Sequence, residues 1–409
     1  MTVKVPPLAA LFVVCVIDVL GFGMLIPLVP YMAERFGART EVVTAIMGSY
    51  SLCQLLAAPV WGRLSDRYGR RPILMSSLSG ACISYVILGL ADGLVWLLIA
   101  RMLAGCMAGN LAAAFAYASD VSTPPERAKA LGLVGAAIGI GFMLGLPIGG
   151  VLAGEDPQHA NFLLPALASI STSLLALALV KFALPESRGE QHLRQSAHPL
   201  RLLRERPLLR LIALAALLVT CANGVLESIF AVWALHRFGL GPRTVGLALF
   251  VLAAVAVLMQ GALVRVLVPR LGEVRLGALG ASAYAIGLIT VAAAGAHLAL
   301  IAAGLALCGV GSGAFNPSAS ALASRQAGAG DRGAVMGTYQ SSTSLARVIG
   351  PFIAGPIYAA LGPDAPFLAG ACLTLPAAWL IHRAGVRGGS AAPSATESSP
   401  SRRSTPPGR

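Results

Sequence analysis

Charge is what this 409-residue chain lacks most. Only 11% of its residues are Asp, Glu, Lys or Arg, against about 25% in a soluble domain. Lysine is nearly missing: Lys4, Lys129 and Lys181 are the only three. No Gly-x-x-x-x-Gly-Lys occurs, which excludes an ATP-driven pump, and no His-Glu-x-x-His occurs, which excludes an intramembrane metalloprotease. The seven cysteines (Cys15, Cys53, Cys82, Cys106, Cys221, Cys308, Cys372) form no Cys-x-x-Cys pair and all fall in apolar runs. They are expected to be reduced, buried packing residues, with no disulfide or metal framework. The strict apolar–polar alternation of a membrane barrel strand is missing as well.

What is there is hydrocarbon-compatible sequence. Hydrophobic residues make up 56% of the chain and the mean hydropathy is +0.78. Apolar runs of about 20 residues recur, each long enough to cross about 30 Å of hydrocarbon as a helix. Backbone groups in lipid must be satisfied within the segment, so the runs should be helical. About twelve spans are expected, roughly at 8–31, 42–62, 72–91, 93–119, 129–153, 161–184, 208–236, 244–268, 274–295, 297–323, 333–360 and 365–383. The first run has no small-residue cleavage site and continues past Pro30, so it reads as a retained helix.

A net charge of +13 would suggest nucleic acid in a soluble protein. Its distribution points elsewhere. Of the 30 Lys and Arg residues, 24 fall on one side of the expected membrane, 4 on the other (Arg35, Arg39, Arg237, Arg243) and 2 inside helices (Arg101, Arg347). That asymmetry is the positive-inside signature and places both termini in the cytoplasm. The opposite side holds Asp92, Glu155, Asp156 and Asp364. The basic residues form short membrane-edge clusters, which no nucleic-acid surface requires.

The chain also repeats itself. Glu126-Arg127, Gly132, Gly145 and Gly150 match Asp331-Arg332, Gly337, Gly350 and Gly355 at one constant offset. Arg35-Phe36-Gly37 matches Arg237-Phe238-Gly239, and Leu271-Gly272-Glu273 is a worn counterpart of an arginine-rich loop at 62–72. Two six-helix units are implied: 1–184 and 208–387, joined by a basic linker at 185–207 that contains His192 and His198. A Ser-, Pro- and Gly-rich tail at 388–409 is expected to be disordered.

The loop at 62–72 is the most informative stretch: Gly62-Arg63-Leu64-Ser65-Asp66-Arg67-Tyr68-Gly69-Arg70-Arg71-Pro72. It closely resembles the loop between the second and third helices of major facilitator transporters. Leu184-Pro185-Glu186-Ser187, and the first-helix stretch with Asp18, Gly21, Gly23, Pro27 and Pro30, are similar to drug:proton antiporters of the tetracycline efflux type. The resemblance implies an all-α integral membrane protein of twelve helices in two six-helix halves. It implies a monomer in a bacterial inner membrane that needs no cofactor, is not an enzyme, and exports small hydrophobic drugs, tetracycline-like ones among the candidates, against inward proton flow. A carrier for a metabolite such as a sugar or organic acid is the alternative, and a non-transporting receptor a third reading. In the family, the residues matching Gly62, Asp66, Arg67, Gly69, Arg70 and Arg71 bind the neighbouring half and hold the outward-facing state closed at the cytoplasmic side. A carboxylate–guanidinium contact that breaks as the bundle rocks gives this a physical basis.

Several residues are candidates for the transport chemistry. Asp18 lies within the first helix, where a carboxylate is costly and by default functional; a fixed structural hydrogen-bond network is the other reading. Arg101, in the fourth helix, needs an anionic or carbonyl partner, expected to be Asp18 or a first-helix carbonyl. Glu227 occupies the seventh helix, repeat partner of the first, as a second acidic group for a cation or proton. Arg347 is its expected partner. Gly141, Gly145, Pro147, Gly149 and Gly150 allow close helix approach and resemble the fifth-helix set of antiporters, although Leu146 separates Gly145 from Pro147. Gln54, Asn110, Tyr117, Asn223, Gln260, Asn316 and Gln340 are the polar groups available to a cavity. The chain departs from tetracycline exporters at Ser84, where they carry an Asp. It also lacks their eighth-helix His and ninth-helix Asp.

Overall fold

The structure, a computed structural model, describes residues 6–123, 126–187, 199–295, 297–328 and 331–389. His192, His198 and the tail beyond 389 lie outside the described residues. Helix runs nearly throughout: α1 (Pro7–Leu25), α2 (Val29–Arg35), α3 (Thr40–Tyr68), α4 (Arg70–Gly89), α5 (Leu94–Met107), α6 (Asn110–Asp120), α7 (Arg127–Ala153), α8 (Leu163–Ala183), α9 (Pro199–Glu205), α10 (Pro207–Phe238), α11 (Pro242–Leu258), α12 (Val264–Ala293), α13 (Leu298–Arg325), α14 (Arg332–Leu361) and α15 (Ala365–Gly389). Residues 388–389, placed in a disordered tail by the sequence, close the last helix.

Among the described residues, eleven helical stretches are long and apolar enough to cross a bilayer, one fewer than expected. The difference lies in Pro242–Ala293, a run of 52 residues that includes a π-helical turn at Met259–Leu263. A helix of that length would extend about 78 Å, far beyond any hydrocarbon core. The run is broken at Gly272, whose φ of 74° and ψ of 158° are not helical. Gly69, between α3 and α4, adopts nearly the same conformation (φ 97°, ψ 166°). A residue with a Cβ is strained there. The worn repeat at 271–273 therefore makes the same corner as the arginine loop, and the chain crosses twelve times.

Two spans are interrupted. The first is split by a turn at 26–28, where Pro27 removes a helical donor. The fourth is split at Ala108–Gly109. Trp61 Nε1 donates to the freed Cys106 carbonyl (2.5 Å), and the Ser77 hydroxyl donates to the Met107 carbonyl while accepting the Asn110 N–H (3.1 Å). Protein groups thereby bond the carbonyls of Cys106 and Met107 and the Asn110 N–H at the break, as apolar surroundings require.

Helices up to α8 pack mainly on one another, as do those from α10 onward; α7 against α11 and α3 against α14 join the two groups. Large apolar side chains face outward (Phe182 82% exposed, Leu361 75%), as suits a lipid-facing surface. Cys15, Cys53, Cys221 and Cys308 are buried, but Cys372 is exposed and Cys82 and Cys106 are half-buried. The expectation of uniformly buried cysteines is corrected: in lipid an apolar thiol needs no protein cover.

Among the described residues the two groups touch at one end and along a seam that runs no further than mid-helix, where a Cβ on Gly139 would lie 3.1 Å from Val257. At the end carrying Glu155 and Asp364, the far end, a Cβ on Gly150 would lie 2.5 Å from the Pro242 carbonyl oxygen, and one on Gly246 2.6 Å from that of Leu146. A Cβ on Gly48 would meet the Phe352 ring at 2.9 Å. At the basic end, which carries the arginine loop, Gly62, Gly132, Gly135, Gly261, Gly333 and Gly337 have no atom within 4 Å of such a Cβ. The molecule is closed at the far end and open at the basic end.

Candidate functional site

Between the two groups of helices lies a cavity of about 640 Å³. Its walls come from the first, second, third, fourth, fifth, seventh, eighth, tenth and eleventh spans. The third adds Ala81 and Tyr85. Asp18, Arg101, Glu227, Gln54, Asn110, Asn223, Gln260, Asn316, Gln340 and Arg347 all line it. Phe22, Tyr50, Phe142 and Leu249 supply apolar surface.

Tyr117 does not line the cavity. It is fully buried and donates its hydroxyl to the Pro185 carbonyl (3.1 Å). Its face of α6 turns toward α4, α7 and the start of the linker, so a polar group judged by span alone falls on the wrong side of its helix.

Asp18 is buried on α1 and accepts a hydrogen bond from the side-chain amide of Asn110. The break in the fourth span sets this up. Asn110 begins α6, and its own Oδ1 is held by the Leu111 N–H (2.9 Å), which leaves Nδ2 to meet the carboxylate. The expected pairing of Asp18 with Arg101 does not occur. Arg101 lies nine positions away from Asn110 along the same span, about 13 Å by helical rise, which carries it past Asp18. Its guanidinium instead lies over the rings of Tyr50 (4.8 Å) and Phe22 (5.8 Å). Among the described residues no carboxylate reaches it, and its buried Nε has no hydrogen-bond partner.

On the other wall, Glu227 accepts from Asn223 Nδ2 (2.8 Å), whose Oδ1 accepts the Tyr284 hydroxyl (2.9 Å). Glu227 and Arg347 face the same space and feel each other's charge, but no ion pair within 4 Å joins them among the described residues. Arg347 makes one long contact, Nη2 to Ser344 Oγ at 3.4 Å. The expected Glu227–Arg347 pair is absent in this open form, and the hydrogen bond the carboxylate does accept comes from Asn223 on its own helix.

Gly141, Gly145 and Gly149 line the seam between α7 and α1. A Cβ on Gly141 would lie 2.6 Å from the Val16 carbonyl oxygen and one on Gly145 2.5 Å from that of Leu20; on Gly149 it would collide with that of Met24. Gly150 faces α11 instead. Pro147 lies within unbroken helix. Ser84 is buried and bonded within its own helix to the Ala81 carbonyl (2.7 Å).

At the basic end, Arg70 bridges Asp66 (2.6 Å) and Asp120 (2.9 Å) and also donates to Ser65 (3.1 Å). Glu186 accepts the N–H groups of Arg70 (2.8 Å) and Arg71 (3.3 Å) at the start of α4, and Arg71 donates to the Lys181 carbonyl. Gly69 leaves room for the Glu186 carboxylate. Gly62 faces open space, and Arg67 lies over its neighbour Tyr68. In this form none of these residues bonds to the second group of helices, because that end is open. Asp120 was missed from the sequence, and Glu186 was noted only within its motif and given no role; the available signal was a carboxylate at the end of each of two spans.

Sequence reasoning also missed the far-end contacts. Glu155 accepts the Gly241 N–H (3.2 Å), the Thr244 N–H (3.2 Å) and the Thr244 hydroxyl (2.8 Å) at the first turn of α11. His236 lies between Glu34 (2.9 Å) and the Tyr358 hydroxyl (2.9 Å).

The family model described as Major Facilitator Superfamily matches residues 11–296 and 263–405. Tetracycline resistance protein, class G, of Vibrio anguillarum is 32% identical over 84% of this chain and 88% of its own length. Multidrug resistance protein 2 of Bacillus subtilis (strain 168) is 27% identical over 83% and 85%. The crystal structure of the human organic anion transporter MFSD10 (TETRAN) superposes with a TM-score of 0.69 at 23% identity, covering 92% of this chain and 98% of that one. With twelve crossings around a central cavity and a family match along nearly its whole length, the chain belongs to the Major Facilitator Superfamily.

Proposed function

We propose that this protein exports small hydrophobic drugs across a bacterial inner membrane in exchange for protons, by alternating access. Its relatives include tetracycline and multidrug resistance proteins. The observation that carries the reading is Asp18, a carboxylate buried in the wall of a cavity that is sealed at one end. A buried carboxylate favours its neutral form unless a partner holds the charge, and the single amide of Asn110 offers modest support.

By the positive-inside rule the basic end is cytoplasmic, so the open form is inward-facing. Cargo enters with Asp18 ionised. The two groups of helices rock, closing the basic end and opening the far end. A proton from outside neutralises Asp18, cargo leaves, and the protonated carrier returns. Glu227 is placed to take a second proton or a cation. One proton moving inward supplies about 2.3 kcal/mol per 100 mV, enough for a roughly fortyfold cargo gradient. The glycine seam between α1 and α7 supports antiport by leaving no room for a leak. Arg67, Arg70, Arg71 and Asp66 act as the cytoplasmic gate, meeting the second group of helices once that end closes. Tetracycline itself is less favoured as cargo, because Ser84 supplies no carboxylate.

The amide-rich wall (Gln54, Asn223, Gln260, Asn316, Gln340) favours a second reading, a proton-coupled or facilitative metabolite carrier. Accumulation of fluorescent drugs in efflux-deficient bacteria separates the two. Cells expressing the protein should accumulate less drug, and a protonophore or the Asp18→Asn substitution should abolish the difference. Unchanged efflux in Asp18→Asn would remove Asp18 from the mechanism. No drug efflux, with uptake of a sugar or organic acid, would establish the carrier instead.

A further inference from the structure

The cavity holds two carboxylates and two guanidiniums; each carboxylate accepts one side-chain hydrogen bond, and neither guanidinium has an anionic partner among the described residues. Asp18 has Asn110 and Glu227 has Asn223, each a neutral donor from its own group of helices. Arg101 is 4% exposed, lines the cavity, and leaves Nε without a partner. Arg347 faces the open cavity with only its long contact to Ser344. Among the described residues no carboxylate lies within salt-bridge distance of either. For Arg101, buried at membrane depth, the lack of an anion is costly, and five fixed donors suit either guanidinium to a carboxylate or similar group.

Tyr50 connects the two cations. Its ring lies under the Arg101 guanidinium (4.8 Å) and stacks on Phe22 (4.8 Å), and it lines the same cavity as Arg101 and Arg347. An aromatic shelf therefore sits beside two unsatisfied cations, one from each side of the cavity. We infer that Arg101 and Arg347 form a subsite for an anionic group on the transported molecule, so that the preferred cargo is an amphiphilic organic acid or a zwitterion and not a simple lipophilic cation. The ring system of such a cargo lies on Phe22 and Tyr50, and its anionic group draws together the fourth and eleventh spans. This inference rests on the reading of the cavity as the transport site.

The test uses rhodamine B, which carries an anionic carboxylate beside a cationic ring system, and rhodamine B ethyl ester, the same ring system without that anion. Binding to the purified full-length protein is read by fluorescence anisotropy. The acid should bind at least about tenfold more tightly than the ester, as expected for a charge-assisted contact. Arg347→Gln should remove most of that preference by weakening binding of the acid, while Arg347→Lys should restore part of it, since an ammonium keeps the charge but not the fork. Arg347 faces open space, so its variants should fold; Arg101→Gln provides the companion measurement. Equal binding of acid and ester, binding of neither, or acid binding indifferent to Arg347 would overturn the inference. Gradient-driven export of the ester without preference for the acid would also sink it, while leaving the exporter reading intact. Tight, Arg347-dependent binding of the acid without gradient-driven export would support the subsite and count against the exporter.

Discussion

The carboxylate of Glu155 accepts the hydroxyl of Thr244 at 2.8 Å across the closed end of the molecule. Glu155 follows α7 and Thr244 opens α11, so one group of helices caps a helix of the other. The same carboxylate takes the N–H groups of Gly241 and Thr244, donors that a helix start leaves without intrahelical partners. A negative charge there also complements the helix dipole. To open the far end, the molecule must give up this cap.

Glu155→Ala should therefore favour the form open at the far end. Losing a cap costs about 1 kcal/mol, which corresponds to roughly a fivefold shift in population. Spin labels at Asp92 and His297, exposed on loops of the two groups at that end, should report a larger long-distance fraction in the variant. An unchanged distance distribution would remove Glu155 from the closing contacts.

Asn110→Ala should weaken proton-coupled efflux, though less than Asp18→Asn does. It removes the only donor to the Asp18 carboxylate among the described residues but keeps the titrating group. Drug accumulation compared across the two variants decides this; equal and complete loss in both would mean that Asn110 has a role of its own.

Glycines at the two ends should respond oppositely to alanine. Gly149→Ala pushes a methyl group into the Met24 carbonyl, and overpacking of this kind costs about 1–3 kcal/mol. Gly132→Ala and Gly337→Ala enter open space and gain up to about 1 kcal/mol of helix propensity each. Thermal unfolding in detergent should show a lower Tm for the first and an equal or higher Tm for the others. If the basic end closes during transport, the two stabilised variants should also turn over more slowly.

Asp66→Asn should slow transport without altering cargo affinity. Asp66 lies at the basic end, away from the cavity lining, and holds only Arg70 in the open form. A binding titration run beside transport kinetics checks both parts; a changed Kd would place Asp66 in communication with the cavity.

Tyr117→Phe should leave cargo binding unchanged and cost about 1 kcal/mol of stability, the worth of its bond to Pro185. A loss of binding would return Tyr117 to the cavity wall.

Much of the fold was legible because its cause is one-dimensional. A bilayer demands apolar runs of fixed length, so the spans followed from hydropathy, and even the helical run over 242–293 yields its corner at Gly272 once the repeat of Gly69 is noticed. Most cavity residues were legible for a related reason: a polar side chain inside an apolar run must find water, a partner or a cavity. Tyr117 was misread because it had found a partner, and hydropathy does not record the direction in which a helix face points.

Pairing was the part that could not be read. Asp18 and Arg101 are opposite charges on neighbouring spans, and proximity by charge alone made them partners. The break at Ala108–Gly109 brings Asn110 to Asp18 and leaves Arg101 on Tyr50. Sequence by itself determined that this chain crosses a membrane about twelve times, which superfamily it resembles, and which buried groups are chemically expensive. Those properties depend on local composition measured against a slab of hydrocarbon. Tertiary structure alone decided which end is closed, that Glu155 closes it, and that the guanidiniums and not the carboxylates stand without partners, because helix rotation and a single interrupted turn set distances that residues far apart in the chain do not encode.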